Sequence, residues 1–412
     1  MVAVLSSRVV TATAVSVLVL LAALGAAHAQ QSSTQPPKPF APSWGMLAGW
    51  DVFANKGCGK CHALRGGGGG AGPDLGRITT GKSFFELGAA MWNHLPKMGA
   101  KMREAGIERP TLTPRETSDL LAFLFTAQYF DEPGDAKAGE TLFASKGCVQ
   151  CHAVGGKGGS VGPPLDALKK SNSPVLVAAA MWNHGPKMAE TMKAKGIPRP
   201  VFEGREMVDL IAYIVEAGKD PGGDTTQVVP GTPERGEKLF AERRCATCHA
   251  VSGKGGKVGP DLGRAGHHLS LTGFAARMWN HGPAMWAKMK QRGIEPPTLG
   301  GQDMADILAY LYTSRYFDPQ ASPGRGAQLV NAKACASCHS VRGQGGKLAA
   351  DLAKSSVVAT PASLIAAMWN HSTYMEAKAR KQDVAWPLLS GQELADVSAY
   401  LGSLSKPVSK PK

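Results

Sequence analysis

From about residue 44 onward the chain alternates between short apolar blocks at helical spacing and polar, glycine-rich stretches. Residues 136–148, AKAGETLFASKGC, predict a short amphipathic helix. Residues 155–165, GGKGGSVGPPL, predict a loop. Residues 173–184, SPVLVAAAMWNH, predict a second helix ending near the Trp-Asn-His triplet. A Pro follows two residues after that His at Pro96, Pro186 and Pro283. Inside a helix a Pro removes a backbone bond and clashes with the preceding turn, so it is expected to bend or end the helix. Residues 204–218, GREMVDLIAYIVEAG, predict a closing helix. No stretch alternates as a strand would.

The same series of elements recurs four times at fixed offsets. Its reference points are His62, His152, His249 and His339. A Gly-Pro pair begins ten residues later at Gly72, Gly162 and Gly259. A Met-Trp-Asn-His tetrapeptide ends 32 residues later at His94, His184, His281 and His371. A Met stands at offset 36 (Met98, Met188, Met285, Met375), and an Asp opens the closing block at offset 57 (Asp119, Asp209, Asp306, Asp396). Gly49, Gly139, Gly236 and Gly326 precede each motif. The expected organisation is a unit at 44–130, a second at 134–218, a linker at 219–230, a third unit at 231–317, a fourth at 323–404 and a tail at 405–412. The 218–233 stretch, the longest connection, reads as a linker between two halves.

Each reference His ends a C-x-x-C-H unit, and these units use all eight cysteines: Cys58 and Cys61, Cys148 and Cys151, Cys245 and Cys248, Cys335 and Cys338. Eight cysteines in an exported chain would ordinarily predict disulfides, but this spacing is the signature of c-type haem attachment. Two cysteines three positions apart reach the two vinyl groups of one haem as thioethers. The His that follows then meets the iron from one face. Four covalent haem c groups are therefore expected, with iron ligands His62, His152, His249 and His339. Aromatic residues make up only 7% of the chain, and units of this size bury little core unaided. The haem supplies the missing apolar mass.

The formal charge of +14 is spread along the chain without a long basic block. It fits either a solvated basic surface or attraction to acidic partners and anionic membranes. No reader motif for nucleic acid accompanies it. Arg8, an apolar run at 9–27 and the Ala27-His28-Ala29 site form an export signal over 1–29, followed by a Pro/Ser-rich linker at 30–43. Periplasmic location is the expectation. If residues 1–29 were retained, they would instead anchor the chain in the membrane.

The order of an N-terminal helix, C-x-x-C-H, a Gly-Pro loop, a ligand-bearing segment and a closing helix with an aromatic resembles the small monohaem cytochrome c domain. The Trp-Asn-His-x-Pro-x-Met pattern is similar to a bacterial branch of it. The resemblance covers about residues 44–404. It implies an all-α fold of four tandem cytochrome c-like domains, each around one covalent haem, and electron carriage between redox proteins. It also implies His with, usually, Met on the two iron faces, and a carbonyl near the Gly-Pro pair holding the ligand His by its other ring nitrogen. The fourth copy departs: Ala349-Ala350 replace Gly-Pro, and Ser372-Thr373 replace the pair before Met375. A different potential or solvent access is expected there.

For the second iron face the residues offer Met98, Met188, Met285 and Met375, or His94, His184, His281 and His371, or an open face on one haem. Met102, Met192 and Met289 lack a fourth member, since Ala379 stands there, and the Met91 series reads as core packing. Trp92, Trp182, Trp279 and Trp369 read as packing on haem or core rather than as an electron relay. His267 and His268 read as surface residues. The Gly66–Gly70 run lacks the Lys-Ser/Thr of a phosphate loop. The functional expectation is an electron carrier with no catalytic residues. The rivals are a haem enzyme with one open iron face and a cytochrome subunit of a membrane redox complex.

Overall fold

A computed structural model describes residues 46–64, 66–77, 82–127, 131–171, 173–220, 222, 231–263, 270–316, 320–355 and 358–404. The signal peptide and linker expected before residue 44, the 405–412 tail, most of the 219–230 linker, and His267 and His268 lie outside the described residues.

Each repeat is helical, as the apolar spacing predicts. The entry helices are Met46–Asn55, Ala136–Ser145, Pro233–Glu242 and Pro323–Ala332. The long helices are Phe84–Glu104, Pro174–Ala194, Leu271–Gln291 and Pro361–Lys381, each 21 residues. The closing helices are Pro114–Ala127, Glu206–Ala217, Gly301–Thr313 and Gly391–Leu404. Local chemistry starts them. Ser83 and Glu86 form a reciprocal capping box on the first long helix, and Pro occupies the first turn of Pro174–Ala194 and Pro361–Lys381. Extended structure among the described residues consists of four antiparallel pairs of two-residue strands just after each motif, such as Ala63–Leu64 with Gly67–Gly68.

Entry and closing helices cross where two of the recurring positions meet. A Cβ on Gly49 would sit 2.3 Å from the Asp119 carbonyl oxygen, and one on Gly236 would sit 1.9 Å from that of Asp306. Gly139 faces Asp209 and Gly326 faces Asp396 in the same way. Only glycine permits so close a backbone approach. Beside the crossing, Phe53 meets Phe123, Phe143 meets Tyr213 and Phe240 meets Tyr310, with ring centroids 6.0, 5.5 and 5.8 Å apart. The Asp side chains also secure the start of the entry helix: Asp306 accepts the Thr232 N–H at 2.7 Å and Asp396 the Ser322 N–H at 2.6 Å.

The long helix does not end at Trp-Asn-His. It runs through Pro96, Pro186 and Pro283 for two further turns. A mid-helix Pro strands the carbonyl four residues earlier, at a cost of about 3 kcal/mol. Here other segments supply donors. The Trp92 carbonyl accepts from Trp386 Nε1 at 3.3 Å, and the Trp279 carbonyl accepts from the Arg199 guanidinium at 2.5 Å.

These donors come from other repeats, because the repeats pack in pairs. Trp92 Nε1 donates to the Pro387 carbonyl, and Trp369 Nε1 donates to that of Pro110. Asn93 pairs its amide with both backbone groups of Leu389, and Asn370 does the same with Leu112. Repeats 1 and 4 therefore clasp each other through the same residues in both directions. Repeats 2 and 3 do likewise: Trp182 with Pro297, Trp279 with Pro200, Asn183 with Leu299 and Asn280 with Phe202. At the second crossing Gly185 and Gly282 admit the Trp286 ring. The 218–233 stretch thus joins two repeats that share an interface, and the chain does not divide into halves there. These buried Trp side chains stabilise each pair, since each combines large apolar area with a satisfied, directional N–H bond.

Candidate functional site

Each C-x-x-C-H unit begins in a short 3₁₀ turn, for example Cys58–Lys60. The residue before the first Cys lies in the left-handed region in all four repeats: Gly57, Gly147, Arg244 and Ala334, with φ of 73°, 77°, 65° and 58°. That turn folds the motif back on itself, so each His N–H bonds the carbonyl of the first Cys, as in His62 to Cys58 at 3.0 Å. None of the eight cysteines forms a disulfide. Burial pushes the Cys148 and Cys245 thiols up to about 11 and raises those of Cys58 and Cys335. Thiols held in this state are poor thiolates, unlike a redox dithiol.

The imidazoles are fixed from the far side. Nδ1–H of His62, His152 and His249 donates to the carbonyls of Pro73, Pro163 and Pro260 at 3.0, 2.8 and 3.0 Å. The ring packs closely on the glycine before that Pro: a Cβ on Gly259 would come within 2.3 Å of His249. With Nδ1 donating, Nε2 carries the lone pair, the tautomer an iron ligand needs. In repeat 4 the Gly-Pro pair is missing, yet His339 Nδ1 makes the same bond to the Ala350 carbonyl at 2.9 Å. The loop is held by an aspartate that the sequence reading passed over. Asp74, Asp166, Asp261 and Asp351 accept backbone N–H groups from the hairpin, Asp261 from Ser252 and Gly253, and Asp74, Asp261 and Asp351 also accept one from the residue two further on, Gly263 in the case of Asp261. Its recurrence 12 to 14 residues after each motif His was the available signal.

In repeat 3 the motif faces an apolar cavity of about 470 Å³, within the range of small-molecule and cofactor sites. Cys245, Cys248 and His249 line one side of it, and the long helix lines the other. Met278, His281, Met285 and Met289 all face it. Positions 91, 94, 98 and 102 and their counterparts are spaced by three or four residues, so one helix face carries them all. Met285 is therefore presented by an unbroken helix, not by chain turning after a Pro. Met278 packs against the buried core, as expected, and also lines the cavity. The side chains differ in burial: Met98, Met188, Met285 and Met375 are half-buried, and His94, His184, His281 and His371 are exposed. His94, His281 and His371 donate Nδ1–H to their own helix, at Ala90, Arg277 and Ala367. The Trp series turns away from this face into the neighbouring repeat, although Trp182 also reaches the wall of the repeat 3 cavity.

The cytochrome c family model matches residues 47–128, 136–218, 233–315 and 324–405. The chain belongs to the cytochrome c family. Four matches in tandem, each containing one C-x-x-C-H unit, make it a tetrahaem c-type cytochrome of four fused domains. The cavity, the fixed imidazole and the two facing cysteines of repeat 3 fit the group. When bound, haem c supplies an iron that shuttles between two oxidation states. In repeat 3, Cys245 and Cys248 would hold it by thioethers, the Pro260 carbonyl would keep His249 turned toward the iron, and the apolar wall would shield it. The cytochrome c domains carry out haem-based electron transfer.

Proposed function

We propose that the protein is an exported, periplasmic electron carrier that relays electrons between redox proteins, with Met98, Met188, Met285 and Met375 as the second iron ligands. The observation that carries this reading is the matched face of the four long helices. In repeat 3 the half-buried Met285 lines the same cavity as the motif His249, and Met98, Met188 and Met375 are half-buried at the same offset, while the neighbouring His of each repeat is exposed. A thioether favours reduced iron and raises the potential, as suits a carrier. Filled faces on all four irons leave no position for substrate. Among the described residues no helix is long and apolar enough to cross a membrane. The basic surface, at +14 for the chain, suits partners with acidic docking faces.

The test replaces one Met at a time by Ala in the four-haem protein. Met285→Ala is expected to convert one haem of the four to a high-spin form that binds added cyanide, with the other three unchanged. The same result from His281→Ala, with no effect of Met285→Ala, would transfer the ligand role to the His series. Cyanide binding by the unaltered protein would favour an enzyme with an open iron face.

A further inference from the structure

The repeats are not neighbours in space in the order in which they follow one another in sequence. Repeats 1 and 4 are clasped by Trp92 and Trp369, and repeats 2 and 3 by Trp182 and Trp279. A different contact joins the pairs. Tyr312, on the closing helix of repeat 3, donates its hydroxyl to the Phe125 carbonyl of repeat 1 at 3.0 Å. Its ring lies 4.7 Å from that of Phe125. Tyr316 stacks edge-on with Phe84 and Phe125, and its carbonyl accepts the Phe84 N–H at 2.8 Å. Asp131 accepts two bonds from Thr272 at the same junction.

Phe125 and Tyr312 occupy the same place in their repeats, six residues after Asp119 and Asp306. In repeats 2 and 4 that place holds Val215 and Gly402. The aromatic thus occurs in the two repeats that meet there. Tyr312 is also a wall residue of the repeat 3 cavity, and Trp182 of repeat 2 is another. The repeat 3 haem site is therefore touched directly by the contacts that lead to both of its spatial neighbours.

We propose that electrons cross the molecule in the order repeat 4, repeat 1, repeat 3, repeat 2. The Phe125–Tyr312 contact is the middle crossing, and repeats 4 and 2 are the ends that face external partners. This rests on the carrier reading above. Each hop oxidises one haem iron by one electron and reduces the next by one. An external one-electron donor protein fills one end, and an acceptor protein empties the other. Tunnelling weakens steeply with distance and is better supported by packed atoms than by a gap. Contiguous walls therefore decide which hops are fast.

The experiment is a stage-by-stage redox titration of the four-haem protein followed by NMR of the haem methyl signals. Each haem is identified with one of Cys58→Ala, Cys148→Ala, Cys245→Ala and Cys335→Ala, which leaves that haem on a single thioether. Reducing one haem makes its near neighbours harder to reduce, because charge interactions fall with separation. The expected result is large mutual shifts for the pairs 1–4, 1–3 and 2–3 and small ones for 1–2, 3–4 and 2–4. Largest shifts for 1–2 and 3–4 would overturn the proposed order. Tyr312→Leu is expected to slow exchange between the two pairs and leave exchange within each pair intact; unchanged exchange would remove Tyr312 from the path. Failure of the haems to titrate as reversible one-electron centres would sink the carrier reading instead, and is seen separately in the amplitude of each wave.

Discussion

His339 Nδ1 bonds the Ala350 carbonyl oxygen at 2.9 Å, reproducing in the fourth repeat the bond that His62 makes to Pro73. The ring orientation thus depends on a backbone carbonyl at a fixed offset and not on proline itself. Ala349 N–H also bonds the Cys338 carbonyl at 3.0 Å, as Gly72 does with Cys61 at 2.8 Å. Repeat 4 is therefore expected to attach haem as fully as the others. Mass measurement of the purified protein checks this: four haems per chain are expected, and three would show that Ala349-Ala350 abolishes the site.

The Asn183 side chain bonds both the N–H and the carbonyl of Leu299 in the partner repeat. Asn183→Ala leaves two backbone groups at the interface unpaired and is expected to destabilise the molecule by about 1–3 kcal/mol. Asn280→Ala, its counterpart, is expected to act alike. Denaturant unfolding of the haem-loaded protein measures both.

Arg244 and Ala334 hold φ of 65° and 58°, where repeats 1 and 2 place Gly57 and Gly147. A side chain in this region costs about 1–2 kcal/mol. Ala334→Gly is accordingly expected to stabilise the protein by about 1 kcal/mol in thermal unfolding, after allowance for the greater freedom of glycine in the unfolded chain. Gly147→Ala is expected to destabilise.

The buried Asp396 carboxyl is pushed up by burial. The opposing effects of Arg325, the Ser322 N–H and the Gln392 amide are together larger and hold it below the usual carboxylate range. A depressed folded value means stability that is fully present above the unfolded value, about 3.9, and is lost as pH falls through the folded one. Acid titration of unfolding stability is expected to fall less steeply below about pH 4 in Asp396→Asn than in the unaltered protein. Equal slopes would remove Asp396 from the acid response.

Much of the site was legible because haem attachment is local chemistry. Cys58, Cys61 and His62 are consecutive enough for their role to be written in spacing alone. Gly49 and Asp119 were each marked as recurring positions by their fixed offsets, but their convergence was not legible, since 70 residues separate them. The path of the long helix was not legible. Pro96 ends a helix unless a donor rescues the Trp92 carbonyl, and that donor, Trp386, lies 294 residues away. Nor was the pairing of repeats. Trp92 and Trp182 are the same residue at the same offset, so nothing local says whose proline carbonyl each will reach. The differences that distinguish the pairs, Arg109 against Ser372 and Arg199 against Trp286, act only across the finished interface.

The central claim is that this chain carries four closed, electron-carrying haems. An optically monitored redox titration of the purified protein, from fully oxidised to fully reduced, tests it most directly. Four low-spin haems titrating reversibly and mostly at positive potentials are the expected result. Strongly negative potentials would contradict the Met ligation, and a high-spin fraction that shifts with added small molecules would contradict the carrier function.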